Sequence, residues 1–420
     1  MRNAQPTRRP VAVTGMATTT PAGVRTEDLW SALLAAKGTL AGAFGTPDAG
    51  RGTPGFACRL PAAADERQLA LRLGKLGRRL DPATRLGVFT ALNALADAGL
   101  TDRPRDTGRA VSGRFAVVAG TAFGASTTLE APERGTFFVP MAMHNALSAS
   151  ISLVAGFTGP SLAVSAACAT GAVAVGEGVR LIREGIADVV VAGGAELLTA
   201  KSLAGIGASG ALSARASEPL RSARPFDADR DGTVASEGAA FVVLESLDHA
   251  ARRAAREYGR ISGYATTCDA HHLTSPSPGG EGAAECMRAA LADAAVDAAD
   301  ITHVNAHATS TPVGDAAEAQ AIASVFGPRR VPVTANKGVT GHMIAASGAA
   351  EAVASLLALA HAVVPPTANT VKVDDALEID LVMGRSRALP SGPVLSSSFG
   401  FGGHNAALVL LPTPHGPERS

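Results

Sequence analysis

Cysteine and aromatic residues are scarce in this 420-residue chain, and neither sign of charge is in excess. The four cysteines show no CxxC pair and no regular spacing, which argues against a disulfide framework or a zinc site. They are Cys58, Cys168, Cys268 and Cys286. Lys plus Arg and Asp plus Glu both number 37, so no overall field attracts nucleic acid or an anionic membrane. A charged partner would therefore be recognised by a local patch.

We expect no secretory signal peptide, and long hydrophobic runs are also missing. The N-terminus runs from arginines straight into a strand-like segment, without the apolar core of a signal peptide. The most apolar window, residues 352–364, is shorter than a membrane-spanning helix and contains Ser355 and His361. We therefore expect a cytoplasmic protein with reduced thiols that does not associate with membranes.

Glycine is abundant instead, at 46 residues, and hydrophobic residues make up 46% of the chain against 18% charged ones. Short Val- and Ala-rich runs typical of buried strands alternate with segments of helical periodicity. This alternation predicts an α/β fold with mainly parallel sheets that are covered on both faces. The predicted strands begin at Val11, Phe115, Ala187, Ala239, Ile301, Val331 and Asn405, and the predicted helices span residues 85–100, 171–186, 282–296 and 348–363.

The chain contains a weak internal repeat. A strand followed by a small-residue helix, SLAVSAACATGAVAVGEG, has a counterpart in the second half, VPVTANKGVTGHMIAASGAAEAV. We therefore predict two similar halves, residues 1–258 and residues 259–420, with the join near residues 256–267. The first half carries Cys168, and the second half carries two histidines at predicted strand ends.

Cys168 lies among Ala, Gly, Ser and Thr, directly after an extended segment and before a predicted helix. A cysteine in this position directs its sulfur to the positive helix terminus, which favours the thiolate, and nearby backbone N–H groups can stabilise an oxyanion. The small neighbours would let an acyl chain approach the sulfur. A buried, inert cysteine in a close-packed helix pair has the same local pattern.

The second half supplies four polar side chains that can assist a thiol. His307 follows a predicted strand, and His342 lies in a Gly-rich turn before a helix. Catalytic groups of α/β sheets collect at the carboxyl ends of strands, so we expect both rings to converge with Cys168, although each alone also fits a structural role. Lys337 and Glu351 flank His342 and can form a buried ion pair that sets its protonation, although an exposed pair is the commoner outcome.

A stretch near the C-terminus, SSSFGFGGHNAALVL, alternates glycines with Phe399 and Phe401 ahead of a strand. This alternation predicts a backbone that approaches a ligand closely and two rings that gate it. The spacing is not that of a phosphate-binding loop.

Together these motifs resemble those of the elongating β-ketoacyl-[acyl carrier protein] synthases of the thiolase fold, and the resemblance covers residues 11–412. It includes ACATG around Cys168, NAHATSTPVGD around His307 with Ala308 in place of the usual Gly, KxxxGHxxxAxGxxE from Lys337 to Glu351, and SFGFGGxN. The resemblance implies an α/β thiolase-like fold in which two similar halves form five layers, α-β-α-β-α. It also implies an acyltransferase of fatty-acid or type II polyketide synthesis.

The activity implied is the decarboxylative condensation of malonyl-carrier protein with a cysteine-bound acyl group, which gives a β-ketoacyl-carrier protein. Cys168 would take the acyl group, and the amides of Cys168 and Phe399 would hold the oxyanion. His307 and His342 would stabilise the enolate that forms when carbon dioxide leaves. No metal, nucleotide or redox cofactor is needed, because the phosphopantetheine is carried by the partner acyl carrier protein.

The resemblance also implies roles around this centre. Lys337 and Glu351 would fix the protonation and orientation of the two histidines. Thr309 and Thr311 would hydrogen-bond the pantetheine arm. Thiolases of the same fold use a second cysteine where this chain has Phe399 to Gly403, which argues against thiolysis with coenzyme A.

The acyl pocket is expected to be lined by Phe123 and Phe401. Phe123 stands where a smaller residue is usual in the family, so we predict a preference for short or flat acyl primers. The stretch TVASEGAAF at Thr233 also departs from the family's more Gly-rich form.

The stretch RLGKLGRRLD contains a basic cluster, Arg72, Lys75, Arg78 and Arg79. Carrier proteins of these systems are acidic, so we expect Lys75, Arg78 and Arg79 to form the docking patch for the carrier protein. A solvated helix face without a partner fits the same residues.

The subunit partner is expected to be a second copy of this chain or a related chain-length subunit. Two other functions stay open from the residues alone. One is a shaping subunit that only contributes wall and docking surface, which the intact Cys168, His307 and His342 argue against. The other is an acyltransferase or thioesterase that uses Cys168 without condensation.

Overall fold

The computed structural model describes residues 11–39, 57–61, 73–100, 113–132, 135–215 and 217–413. Each strand and helix predicted from periodicity is present within a few residues of its predicted bounds. The strands are β1 (Val11–Thr19), β2 (Phe115–Gly120), β3 (Ser161–Ala163), β4 (Val189–Glu196), β5 (Gly238–Ser246), β6 (Gly259–Cys268), β7 (His303–Ala306), β8 (Pro332–Ala335), β9 (Val363–Val364), β10 (Asp380–Leu381), β11 (Arg387–Ala388), β12 (Val394–Gly400) and β13 (His404–Leu411).

The α-helices that are described over their whole length lie between these strands. They are α1 (Thr26–Leu34), α2 (Pro82–Asp97), α3 (Ser126–Glu130), α4 (Phe138–Ala142), α5 (Ala146–Ala155), α6 (Thr170–Arg183), α7 (Ala200–Ala208), α8 (Leu247–Arg252), α9 (Glu281–Ala294), α10 (Pro312–Phe326), α11 (Lys337–Thr340) and α12 (Ser347–His361).

Eleven of the strands described here form one mixed sheet, whose two parts repeat the same topology. The first part has the order β1-β5-β4-β2-β3, and the second has the order β6-β13-β12-β7-β8 with β10 at its edge. In each part the first three strands pair antiparallel and the last three pair parallel. The parts meet where Ala12 and Val13 of β1 pair with β6. The turns that follow β3 and β8 are therefore equivalent positions.

Helices cover both faces of each part of the sheet. Helices α6 and α12 pack on each other in the middle, and each contacts strands of both parts. Helices α2 and α5 cover the outer face of the first part, while α9 contacts the outer face of the second part and α10 packs on α9. The layers are therefore α-β-α-β-α, as the resemblance implies. The sheet is mixed, and not mainly parallel as the alternation of strands and helices predicts.

Small residues let the two central helices approach closely. A side chain on Gly171 would lie 2.7 Å from the backbone nitrogen of Ala349, and one on Gly348 would lie 2.8 Å from that of Ala172. These reciprocal contacts fix α6 against α12. Since Cys168 precedes α6 and His342 precedes α12, they also fix the distance between the turns that carry the two residues.

The stretch Ile344–His361 is long and apolar enough to cross a membrane, but 89% of it is buried inside the protein. It consists of a short 3₁₀ turn and α12, the helix between the two parts of the sheet. Its apolar composition is explained by this burial.

Residues 256–267, where we predict the join between halves, belong mostly to β6. This strand alternates buried and half-buried positions, because one face packs on α9 while the other is partly open. Its alternating polar residues and its glycines are also typical of a linker, so the sequence does not identify it as a strand. It nevertheless pairs with β13 along nearly its whole length.

Candidate active site

One cavity of about 670 Å³ lies where the carboxyl ends of strands from both parts of the sheet meet. Cys168, from the turn after β3, lines it together with His307, from the end of β7, and His342, from the turn after β8. The residues that the sequence assigns to substrate binding line the same cavity, and they are Phe123, Thr309, Thr311 and Phe401. Phe399 lines it as well.

Cys168 lies in a tight turn with one strained residue. Ala167 has φ of 47°, in the left-handed region that costs a non-glycine residue free energy. The Thr170 hydroxyl holds the turn, because it accepts a hydrogen bond from the Ala166 amide at 2.9 Å and donates one to the Ala167 carbonyl at 2.7 Å. A side chain on Gly400 would lie 3.0 Å from the Cys168 nitrogen, so glycine lets the end of β12 approach the nucleophile.

The surroundings of the Cys168 sulfur oppose the thiolate that the sequence analysis expects. Burial raises its pKa to about 12, and the carboxyl of Glu196 acts in the same direction, although the charge of Lys337 and nearby backbone N–H groups oppose the rise in pKa. Helix α6 begins only at Thr170. The loss of water around the sulfur therefore raises the thiol pKa by more than the positive end of the helix lowers it.

The backbone amide that faces the sulfur together with that of Cys168 belongs to Phe401, not to Phe399 as we expect from the sequence. The N–H groups of Phe401 and of Cys168 itself face the Cys168 sulfur and lower its pKa. The sequence expectation assigned this position to Phe399, whose ring instead packs 5.7 Å from the His307 ring. Phe399 lies within β12, whereas Phe401 follows the end of that strand.

The rings of His307 and His342 lie edge to face, with centroids 5.3 Å apart. Both residues are buried. Burial and then the charge of Lys337 hold the pKa of each ring well below 6.5, so both imidazoles are neutral at neutral pH. The Ser347 hydroxyl lies 3.0 Å from Nδ1 of His342.

Lys337 is buried and holds His307 in one orientation. Its Nζ lies 3.2 Å from Nδ1 of His307, and it also donates to the His307 carbonyl and to Glu351. Since an ammonium group can only donate, Nδ1 of His307 is the acceptor and the ring proton is on Nε2. Burial raises the pKa of Glu351 to about 7, against the opposing charge of Lys337.

Two buried glutamates at the site were not predicted from the sequence. Glu318 of α10 accepts the amides of His307 at 2.8 Å and Ala308 at 2.6 Å. Glu196, at the end of β4, accepts the Ala122 amide at 2.8 Å and the Phe123 amide at 3.3 Å. An acidic residue nearly two turns into the helix that follows His307 was the available signal for Glu318, whereas no local pattern indicates Glu196.

Thr309 and Thr311 lie side by side on the cavity wall. Their hydroxyl oxygens are 3.0 Å apart, and Thr311 also caps α10 by accepting the Gly314 amide at 3.2 Å. Phe401 is 40% exposed, at the rim of the cavity.

The expected docking residues are on the surface and do not line the cavity. Lys75, Arg78 and Arg79 are exposed, and the Arg79 guanidinium stacks over the Phe137 ring at 4.3 Å. Arg72 lies outside the described residues. Within the ranges described above, no group of three or more His, Cys, Asp or Glu side chains could hold a metal ion.

Comparisons with known proteins agree over almost the whole chain. Residues 8–250 match the family Beta-ketoacyl synthase, N-terminal domain, and residues 258–371 match its C-terminal domain. A 3-oxoacyl-[acyl-carrier-protein] synthase 2 of Vibrio cholerae is 37% identical, over 96% of this chain and 99% of the relative.

Two solved structures are also similar to this chain. The ishigamide ketosynthase/chain length factor is 31% identical, with a TM-score of 0.85 over 96% of this chain and 99% of that one. The complex AntDE:AntF, a type II PKS acyl-carrier protein with its ketosynthase bound to the hexaketide, is 27% identical, with a TM-score of 0.85 over 97% and 100%.

Proposed function

Because the chain belongs to the β-ketoacyl synthase family, we propose that Cys168, His307 and His342 together carry out the reaction of that family. This reaction is the decarboxylative condensation of malonyl-carrier protein with a cysteine-bound acyl group, in fatty-acid or type II polyketide synthesis. The observation that carries the assignment is the single cavity that all three side chains line, with the two rings in contact.

In the first half-reaction Cys168 takes the acyl group from a carrier thioester. The sulfur attacks the thioester carbon, the bond to the pantetheine sulfur breaks, and the thiol proton passes to the departing pantetheine. The N–H groups of Cys168 and Phe401 face the nucleophile and are placed to stabilise the oxyanion of the tetrahedral intermediate. Because the resting thiol has a raised pKa, loss of its proton accompanies the attack.

In the second half-reaction the two imidazoles stabilise an enolate. Nε2–H of His307 and the His342 ring donate to the thioester oxygen of the malonyl group while the carboxylate leaves as carbon dioxide. The resulting carbon attacks the acyl-cysteine carbonyl, the carbon–sulfur bond breaks, and the sulfur takes up a proton. Neutral donors suit this step, because carboxylates at the same place would repel the developing negative charge.

Lys337, Glu351 and Glu318 act as positioning residues. Lys337 fixes the His307 tautomer, and Glu351 accepts a hydrogen bond from Lys337. Glu318 binds the main chain at His307. None of these roles needs a metal, nucleotide or redox cofactor, and the phosphopantetheine arm arrives on the carrier protein.

Thr309 and Thr311 are placed to bind the pantetheine arm, since their hydroxyls line the cavity next to His307. Lys75, Arg78 and Arg79 are the proposed docking patch for the acidic carrier protein, supported by their exposure. Electrostatic docking of this kind is weakened by salt.

We also propose a dimer, formed with a second copy or a related chain-length subunit, in the cytoplasm. The support is the free edge of the sheet at β3, whose three residues are exposed. Exposed apolar side chains lie on the segments just before this strand and include Leu129, Val139, Met143 and Leu153. The solved ishigamide protein is itself a ketosynthase with a chain length factor.

The test is to incubate the protein with acyl-carrier and malonyl-carrier and to weigh both protein and product. We expect an acyl adduct on Cys168, a β-keto product two carbons longer, and neither of them with Cys168→Ala. An adduct without the longer product would favour an acyltransferase or thioesterase. Absence of both would favour a shaping subunit.

A further inference from the structure

Thr233 has a buried hydroxyl without a hydrogen-bond partner, and the residue forms part of the cavity wall. Only 4% of the residue is exposed. Several other buried side-chain atoms of the described residues lack a partner, but Thr233 is the one among them that lines this cavity. A buried hydroxyl that makes no hydrogen bond costs free energy, which a ligand with a suitable acceptor would recover.

The main chain fixes Thr233 in this wall. Its amide donates to the Ala211 carbonyl at 2.8 Å, and its carbonyl accepts the Ser213 amide at 2.8 Å. Two residues further on, Ala235 pairs with His342. One rotamer step about χ1 exchanges the methyl and hydroxyl positions of Thr233, and the interaction proposed below requires the rotamer in which the hydroxyl faces the cavity.

Two further polar residues line the cavity near Thr233. They lie on the two chain segments that the backbone hydrogen bonds of Thr233 connect. Ser209 and Asp231 join Thr233 to form what we call the polar wall. Ser209 donates to the Ile206 carbonyl at 2.7 Å, and Asp231 accepts the Ser213 hydroxyl at 2.7 Å, so both are already paired. Thr233 is therefore the member of the polar wall with a hydrogen bond left to make.

The polar wall borders the apolar surroundings of the nucleophile. Cys168 and Phe123 pack on a cluster that contains Ile206, Ala235 and Ile344. A saturated acyl chain on Cys168 would leave the Thr233 hydroxyl buried and unpaired. An acyl chain with an oxygen a few atoms from the thioester would accept its hydrogen bond instead.

We propose that Thr233 selects 3-oxoacyl primers by donating a hydrogen bond to the oxygen on the third carbon. The inference rests on the proposed function, because it places the acyl group on Cys168. It deepens that function by naming the substrate class as partly grown polyketide chains rather than saturated fatty acyl chains.

The experiment compares acetoacetyl-pantetheine and butyryl-pantetheine, which have the same chain length, as donors to Cys168. Acylation is followed by the mass of the intact protein, without malonyl-carrier. We expect the wild type to prefer acetoacetyl, and Thr233→Val to reduce the ratio of kcat/KM values for acetoacetyl over butyryl about 5- to 10-fold. Thr233→Ser, which keeps the hydroxyl, should retain most of the preference.

Butyryl transfer serves as the control for folding, since it needs no hydrogen bond from Thr233. An unchanged ratio in Thr233→Val would overturn the proposal. An equal loss for both donors would also overturn it, because the hydroxyl would then contact the pantetheine arm or support the wall. Failure of the proposed function gives a different result: addition of malonyl-carrier would yield no condensation product with either primer, whatever the acylation ratio.

Discussion

Nζ of Lys337 lies 3.2 Å from Nδ1 of His307 and also donates to the carbonyl oxygen of the same residue. One ammonium group thus holds both the ring and the main chain of His307. Glu351 completes its hydrogen bonds, and the whole group is buried. The orientation of His307 therefore depends on the charge of Lys337, which is buried away from solvent.

Removal of Lys337 should affect both stability and chemistry. Lys337→Met leaves the Glu351 carboxyl buried without a cation, which costs about 3–5 kcal/mol of unfolding free energy. It also frees the His307 ring, so malonyl decarboxylation should fall about 100-fold. Urea unfolding and carbon dioxide release measure the two effects.

A double variant separates the two effects of Lys337. Lys337→Met with Glu351→Leu replaces the ion pair by apolar groups, so most of the stability should return while decarboxylation stays low. Recovery of decarboxylation in this variant would mean that Lys337 acts only as a structural residue.

The two histidines should not titrate in the usual range. Burial, together with the charge of Lys337, holds the pKa of His307 and His342 well below 6.5, so both rings stay neutral as the pH falls through that value. NMR signals of the ring protons, assigned with His307→Ala and His342→Ala, should show no shift between about pH 8 and pH 6. A midpoint near the ordinary value of 6.5 would contradict the neutral-donor mechanism.

Phe123 should limit the length of the acyl primer. Phe123→Ala removes a ring from the cavity wall, so the ratio of kcat/KM for long over short saturated primers should rise about 10-fold or more. Phe137→Ala is the matched control, because this phenylalanine is half exposed and does not line the cavity. Both variants are compared with acyl-pantetheine donors, so that loss of the Phe137 contact with Arg79 of the docking patch does not enter the ratio. An unchanged preference in Phe123→Ala would remove Phe123 from the acyl pocket.

The sequence alone predicts most of the fold and the position of the three central side chains. Val-rich runs such as β2 and β4 are buried on both faces, so their composition identifies them directly. Cys168 and His342 follow strands at equivalent places in two repeated topologies, which the internal repeat indicates. Strand β6 was harder to predict from the sequence, because one of its faces is only partly buried and carries polar residues.

Other parts of the site depend on contacts between distant residues and could not be predicted. Glu196 binds the amide of Phe123, which lies 73 residues away, and no local pattern connects them. The raised pKa of Cys168 follows from the loss of water that several elements bring about together. The choice of Phe401 over Phe399 depends on where β12 ends.

Charge reversal on the proposed docking patch should weaken only the reactions of carrier-borne substrates. Arg78→Glu should raise KM for acyl-carrier several-fold at low salt and less at high salt, and leave acyl-pantetheine unaffected. Arg385→Glu, at an exposed arginine of the second half, is the matched control. Arg79 is a poorer probe, because its stacking on Phe137 would also be lost. Equal effects of Arg78→Glu and Arg385→Glu would contradict the docking patch.

The most direct test of the mechanism measures Cys168 acylation and malonyl-carrier decarboxylation side by side in Cys168→Ala, His307→Ala and His342→Ala. The mechanism predicts that Cys168→Ala forms no acyl adduct but still releases carbon dioxide, whereas each histidine variant forms the adduct and loses decarboxylation at least about 100-fold. Histidine variants that decarboxylate at the wild-type rate, or that lose acylation and decarboxylation together, would contradict it.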